Sequence, residues 1–220
     1  MNKTDVLHRI HQDWLVTIFR AETTAEAHDT FEALVAGGAT LVEVTLTTPD
    51  ACAVIERLRS RHGDRIVVCA GTVTTPELAR QALDAGAQAI IAPNLYPAVV
   101  EIALGRDAVA IPGCFTPTEV ADALRCGADI IKLFPCDMVG PEYLSYLQGP
   151  FPGTRIMPVG RITLENMQSY YDKKAFAGCV SSTSMGLLKF IRAGRYDEVS
   201  ATMRRWIDFT EKMMAKGSKR

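Results

Sequence analysis

The sequence lacks the run of about 20 uncharged residues that a membrane-spanning helix needs. It also lacks an excess of basic charge: 24 Lys and Arg against 25 Asp and Glu leave a formal charge of −1. Apart from a short basic tail over residues 216–220, nothing in it offers the electrostatic footprint of a nucleic-acid binder or of a protein held on an anionic membrane. There is no C-x-x-C pair. Six cysteines (Cys52, Cys69, Cys114, Cys126, Cys136, Cys179) lie far apart, several inside apolar runs where a thiol serves as a small core residue. The first residues are broken up by His8, Arg9, His11 and Asp13, so no apolar signal core is expected, and the thiols read as reduced in a cytoplasmic protein. Histidine is scarce: His8, His11, His28 and His62 all fall in the first third. That distribution argues against a histidine-clustered metal site and against a Ser-His-Asp hydrolase, so no metal or other cofactor is expected.

What is present is an ordinary globular composition, 48% apolar and 22% charged over 220 residues. This length buries a sizeable core, and one domain over 1–220 is the expectation. Short apolar runs at 15–20, 40–46, 65–72, 88–93, 108–113, 129–134, 154–160 and 175–181 alternate with segments of helical spacing such as 24–36, 75–85, 116–125 and 164–171. The runs are too uniformly apolar for a half-solvated antiparallel sheet and read as parallel strands covered on both faces. Several helical segments open on a Thr cap or a Thr-Pro pair. A weak repeat, Gly38-Ala39, Gly86-Ala87 and Gly127-Ala128, closes a helix and opens a strand each time; glycine suits the left-handed turn that ends a helix. Eight βα units predict an α/β fold, a (β/α)8 TIM barrel in a single domain, with an extra N-terminal helix near 4–12 and a last helix near 196–214. A doubly wound open sheet is the alternative, but no G-x-G-x-x-G turn follows the first run. Trp14 and Trp206 read as packing anchors between the terminal helices and the barrel floor.

In a barrel the chemistry belongs at the C-terminal ends of the strands. Lys132, in the sixth run, is the one lysine between Lys3 and Lys173, and it shares a strand face with Ile130 and Phe134. One reading has its stem packed and its charge carried to the rim. The other is a Schiff-base lysine: burial penalises the ammonium and favours an amine that attacks a ketone. Glu43 and Thr45 share a face in the second run, where a carboxylate among aliphatic residues is costly unless it has a task or a partner. Arg20 ends the first strand on the face of Val16 and Ile18. It can pair with Glu43 or grip a substrate carboxylate.

Glu43 to Leu46, Ala70-Gly71-Thr72, Ile111-Pro112-Gly113, Ile130 to Pro135, and Gly149-Pro150 ahead of Pro158-Val159-Gly160 occur in order on successive units. As a set they resemble the class I 2-keto-3-deoxy-6-phosphogluconate aldolase family, which includes 4-hydroxy-2-oxoglutarate aldolases and a phosphogalactonate branch. The resemblance covers the chain from about Trp14 to Ser200. It implies a homotrimeric, metal-independent barrel that splits a small-molecule 2-keto acid into pyruvate and an aldehyde. By position, Lys132 would form the carbinolamine and imine, and Glu43 would be the general acid/base, working through a water. Arg20, Gly71, Thr72 and Pro93 would line the pyruvate end, and Phe134 would wall off the imine. Asn94, Pro112-Gly113-Cys114 and Gly140-Pro141-Glu142-Tyr143 lean toward the phosphogalactonate branch.

The chain departs from the family where a phosphate tail would rest. The family shows Gly-Gly after the seventh strand and Gly-Gly-Ser after the eighth, whereas this chain has Gly160-Arg161 and Ser181-Ser182-Thr183, and Thr47 stands where gluconate members often carry arginine. Either Arg161 supplies a charge for an anionic tail, with Gly160, Ser182 and Thr183 adding donors, or it points to solvent and the substrate is unphosphorylated. The hydroxyl and amide donors of Ser182 and Thr183 favour the anionic tail. Two rivals from other classes stand beside the lyase: a non-catalytic barrel that binds a keto acid or sugar phosphate, and a barrel isomerase or synthase that leaves Lys132 unreactive.

Overall fold

The computed structural model describes residues 1–217; 218–220, the end of the basic tail, lie outside the described residues. The chain opens on α1 (Lys3–Asp13), whose Asn2 and Asp5 form a reciprocal cap. It then alternates: β1 (Leu15–Phe19), α2 (Thr24–Ala36), β2 (Leu41–Thr45), α3 (Ala51–His62), β3 (Val67–Gly71), α4 (Pro76–Asp84), β4 (Ala89–Ile91), α5 (Pro97–Gly105) and β5 (Val109–Ile111). The second half continues with β6 (Gly113–Cys114), α6 (Pro117–Arg125), β7 (Ile131–Leu133), α7 (Glu142–Gln148), β8 (Ile156–Pro158), α8 (Met167–Asp172), β9 (Gly178–Ser181), α9 (Leu188–Ile191) and α10 (Tyr196–Gly217). Every apolar run contains a strand, shorter by a residue or more than the run. The fifth is divided at Pro112, which has no N–H to give to a ladder, so one expected strand becomes β5 and β6.

All pairings are parallel. One sheet runs β5-β4-β3-β2-β1-β9 and the other β6-β7-β8, and a parallel bridge from Val159 to Cys179 joins the end of β8 to β9. The first strand thus lies between the second and the last, which curls the sheet and does not fit the open doubly wound alternative. Period-two alternation sorts the side chains into two cores. Val16, Leu41, Val67, Ala89 and Ile130 fill the inside of the curl, with Val6 and Ile10 of α1 set against one end. Val42, Val68, Ile90, Ala110 and Ile131 face outward into the layer of helices.

Helix ends explain the regular spacing. Thr23, Thr75 and Thr116 cap α2, α4 and α6, and Pro76 and Pro117 occupy first-turn positions where a missing N–H costs nothing. Gly38, Gly86 and Gly127 have φ of 101°, 95° and 83°. The amides after them return to Leu34, Ala82 and Ala123 carbonyls at 3.0, 3.0 and 3.1 Å, closing each helix before the chain enters a strand. Trp14 is buried against β9: its indole donates to the Ala175 carbonyl at 3.2 Å, and its ring occupies the space a Gly178 Cβ would need. Trp206 is also buried.

Candidate active site

At the C-terminal ends of the strands a cleft of about 700 Å³ opens. Its floor is set by register. Ile18, Glu43 and Cys69 are lateral neighbours on β1, β2 and β3, and Ile18 also pairs with Ser181 of β9. Lys132 pairs with Gly113 and Met157 on the other side. Two side chains with opposite charge thereby project into one space from strands far apart in sequence.

Lys132 is 6% exposed and lines the cleft, with its Nζ 5.0 Å from the centroid of the Phe134 ring. Phe134 itself is exposed at the cleft wall. Glu43 is 1% exposed. Burial pushes its carboxyl group above the ordinary glutamate range, and the Lys132 charge, a hydrogen bond from the Cys179 thiol and the Arg20 charge pull it part of the way back. The Cys179 Sγ donates to Glu43 Oε2 at 3.4 Å. On the other side, Oε1 lies where a Cβ on Gly71 would stand, 1.9 Å away, so the glycine of the Ala-Gly-Thr motif makes room for the carboxylate and is not itself part of the cleft wall. Gly113 of the Ile-Pro-Gly motif plays a similar part, since a Cβ there would come within 2.2 Å of the Pro93 carbonyl oxygen.

Arg20, one residue beyond β1, is exposed on the cleft, which Thr72 and Pro93 also line. Gly160, Ser182 and Thr183 line it as well, with Ser182 held beside β1 by its amide, which donates to the Ile18 carbonyl at 3.0 Å. Arg161 does not join them. Its side chain is 89% exposed and sits 3.9 Å from Asp137 Oδ2. Gly160 itself packs closely on Cys136 and Asp137, with a Cβ position 2.6 Å from Asp137 Oδ1. A second arginine that does line the cleft is Arg192, just past α9 and 3.6 Å from Glu22. Sequence reasoning missed Arg192 because it follows a helix and belongs to no strand period. It also left Ser181 unassigned, although period two from Cys179 places that residue on the inner face. The four histidines lie on α1, α2 and α3, away from the cleft, and no three His, Cys, Asp or Glu side chains converge to hold a metal ion among the described residues.

The chain matches the family model "Aldolase: KDPG and KHG aldolase" over residues 6–202. It is 34% identical over 198 residues to the 2-dehydro-3-deoxy-phosphogluconate aldolase of Treponema pallidum, covering 90% of this chain and 92% of that one. To the 2-dehydro-3-deoxy-6-phosphogalactonate aldolase of Escherichia coli it is 33% identical over 169 residues, 76% of this chain and 80% of that one. Among solved structures, the KDPG aldolase of Legionella pneumophila, with pyruvate captured as a covalent carbinolamine intermediate, superimposes with a TM-score of 0.80 at 25% identity, covering 87% of this chain and 93% of that one.

Proposed function

This chain belongs to the KDPG and KHG aldolase family, and on that premise we propose how its cleft works. The protein is an aldehyde-lyase, a class I aldolase that cleaves a 2-keto-3-deoxy sugar acid to pyruvate and an aldehyde. Lys132 is the nucleophile: its amine adds to the keto carbon, the carbinolamine loses water, and the resulting iminium accepts the electron pair released when the neighbouring C–C bond breaks. Glu43 is the general acid/base. Through a water it moves protons in carbinolamine formation and takes the proton from the hydroxyl that becomes the aldehyde. Arg20 and Thr72 hold the substrate carboxylate, with Gly71 behind them making room for Glu43, Pro93 packs against the pyruvate end, and Phe134 shields the imine from bulk water. The observation that carries the reading is a buried lysine and a buried carboxylate facing one cleft from β7 and β2. A non-catalytic barrel is not favoured, given relatives that are named aldolases and one solved with pyruvate bound covalently.

For the tail of the substrate we infer an anionic group, such as a phosphate, against Gly160, Ser182 and Thr183; Arg161, outside the wall, takes no part. An unphosphorylated keto acid is the second reading, favoured by the Ser182 amide, which is already committed to the Ile18 carbonyl at 3.0 Å. The same proposal includes closure of the curled sheet into a full eight-stranded barrel, supported by the Val159–Cys179 bridge, with α1 as its extra helix and one domain over 1–220. It also includes a cytoplasmic location and a homotrimer, the latter supported by exposed Met138 and Tyr146. No helix among the described residues is long and apolar enough to cross a membrane.

Borohydride added with pyruvate should leave a reduced pyruvyl adduct on Lys132, located by peptide mass mapping. Labelling elsewhere, or none, would remove the imine mechanism. A pyruvate-release assay over phosphorylated and plain keto-deoxy acids decides the tail: the anionic reading expects the phosphorylated acids to have kcat/KM higher by about tenfold or more.

A further inference from the structure

Among the described residues Glu43 is the one buried carboxylate facing the cleft, and its protonation state is set by what surrounds it. Lys132 faces it from β7, Arg20 from beyond β1, Cys69 from β3 and Cys179 from β9. Of these, Cys179 alone donates it a hydrogen bond. The thiol is fully buried, two residues before Ser181, held between Val16 of β1 and Val159 at the end of β8. With Oε1 fitted over Gly71 and Oε2 on this thiol, both carboxylate oxygens are constrained from within the barrel.

We propose that Cys179 is a positioning residue for Glu43, its S–H fixing the carboxylate plane and favouring the ionised form that a general base requires. Its bearing on catalysis rests on the proposed role of Glu43. A thiol is a weak donor, but both groups are buried, and away from bulk solvent even a weak donor to a charged acceptor counts. The ordinary role of a buried cysteine is that of a small apolar filler. The two roles separate cleanly: a filler can be replaced by valine without effect on Glu43, whereas a donor cannot.

Glu43 can be followed directly by carbon-13 NMR of glutamate-labelled protein, its carboxyl signal assigned by loss in Glu43→Gln. In Cys179→Val and Cys179→Ala the titration midpoint should rise by about half a pH unit or more, because a hydrogen bond to the charged form is gone. Cys179→Ser, which keeps a donor, should show a smaller displacement. Cys69→Ala empties similar space beside the same carboxylate without removing a hydrogen bond, and should not raise the midpoint. Should Val and Ala leave the midpoint in place, or Ser move it as far as Val, or Cys69→Ala raise it as much, the proposal is overturned. If Val at 179 does not fold, the Ala and Ser pair carries the same comparison. The acid limb of the kcat/KM profile should move with the NMR midpoint. A midpoint that moves while the limb stays put would leave Cys179 as the holder of Glu43 and remove Glu43 as the base, so the two claims fail separately.

Discussion

Thr72 has φ of 59°, a left-handed backbone that a β-branched residue adopts only when its surroundings force it, and it lies on the cleft directly after Gly71. The strain is maintained by sheet pairing just before it, where Gly71 sits beside Thr45, and by the Val73 amide, which donates to the Ile91 carbonyl at 3.1 Å. Such outliers concentrate where a side chain must be delivered to a ligand. Thr72→Gly relieves the strain, offset in part by the entropy glycine loses on folding, for a net gain of about 1 kcal/mol. The expected result is a melting temperature raised by about 3 °C, together with a higher KM for the keto acid because the hydroxyl is lost. A variant less stable than the parent would mean that the Thr72 side chain contributes more packing than its backbone costs.

Among the elements, the helix-closing glycines set the rhythm of the fold, because each ends a helix in a left-handed turn and aims the chain into the next strand. Gly86 is a clear case: its φ is 95°, and a Cβ there would lie 3.3 Å from the Arg59 side chain. Gly86→Ala should cost about 1–2 kcal/mol, seen as a fall of about 3–6 °C in melting temperature, while kcat stays at the parent value because Gly86 lies at the entry to β4 and the cleft lies at the exits. A loss of kcat without loss of stability would contradict this division between the two ends. The same glycine punctuation made the alternation of strands and helices legible in the sequence, and α2 matches the expected 24–36 span. Pro112 shows the limit. Apolar character continues through it, so only the absent N–H reveals that the fifth run is two strands. In the site, Lys132 and Glu43 were legible as charges misplaced in apolar strands. Arg161 stayed open between a charge for the substrate tail and a solvent-facing side chain, because adjacency to Gly160 does not fix where the side chain points. Arg192 and the Cys179 thiol were not legible as site residues, because their relation to the cleft exists only once the last strand lies beside the first.

At the scale of the whole molecule, the site sets a term in the stability of the fold. Burial raises the Glu43 carboxyl above the ordinary glutamate value of 4.5, and Lys132, Cys179 and Arg20 do not fully compensate. Below 4.5 the group is protonated in both folded and unfolded chains. Between 4.5 and the raised folded value, the native state keeps a proton that the unfolded chain has released, so the free energy of unfolding falls as pH rises through that window and then levels off. Glu43 therefore contributes its full share of stability at low pH and loses it on ionising, the state that base catalysis needs. Glu43→Gln has no such term. Its melting temperature relative to the parent should climb as pH is raised from about 5 and flatten above the folded midpoint, even as its aldol cleavage slows by about 100-fold or more. The relative change with pH is the decisive quantity, because any fixed cost of seating an amide beside Cys179 shifts the whole curve without bending it. A flat difference from about pH 5 to 9 would show that the carboxyl ionises inside the curled sheet as freely as in the unfolded chain, and the cleft would then lack the desolvation on which both Glu43 and Lys132 are proposed to depend.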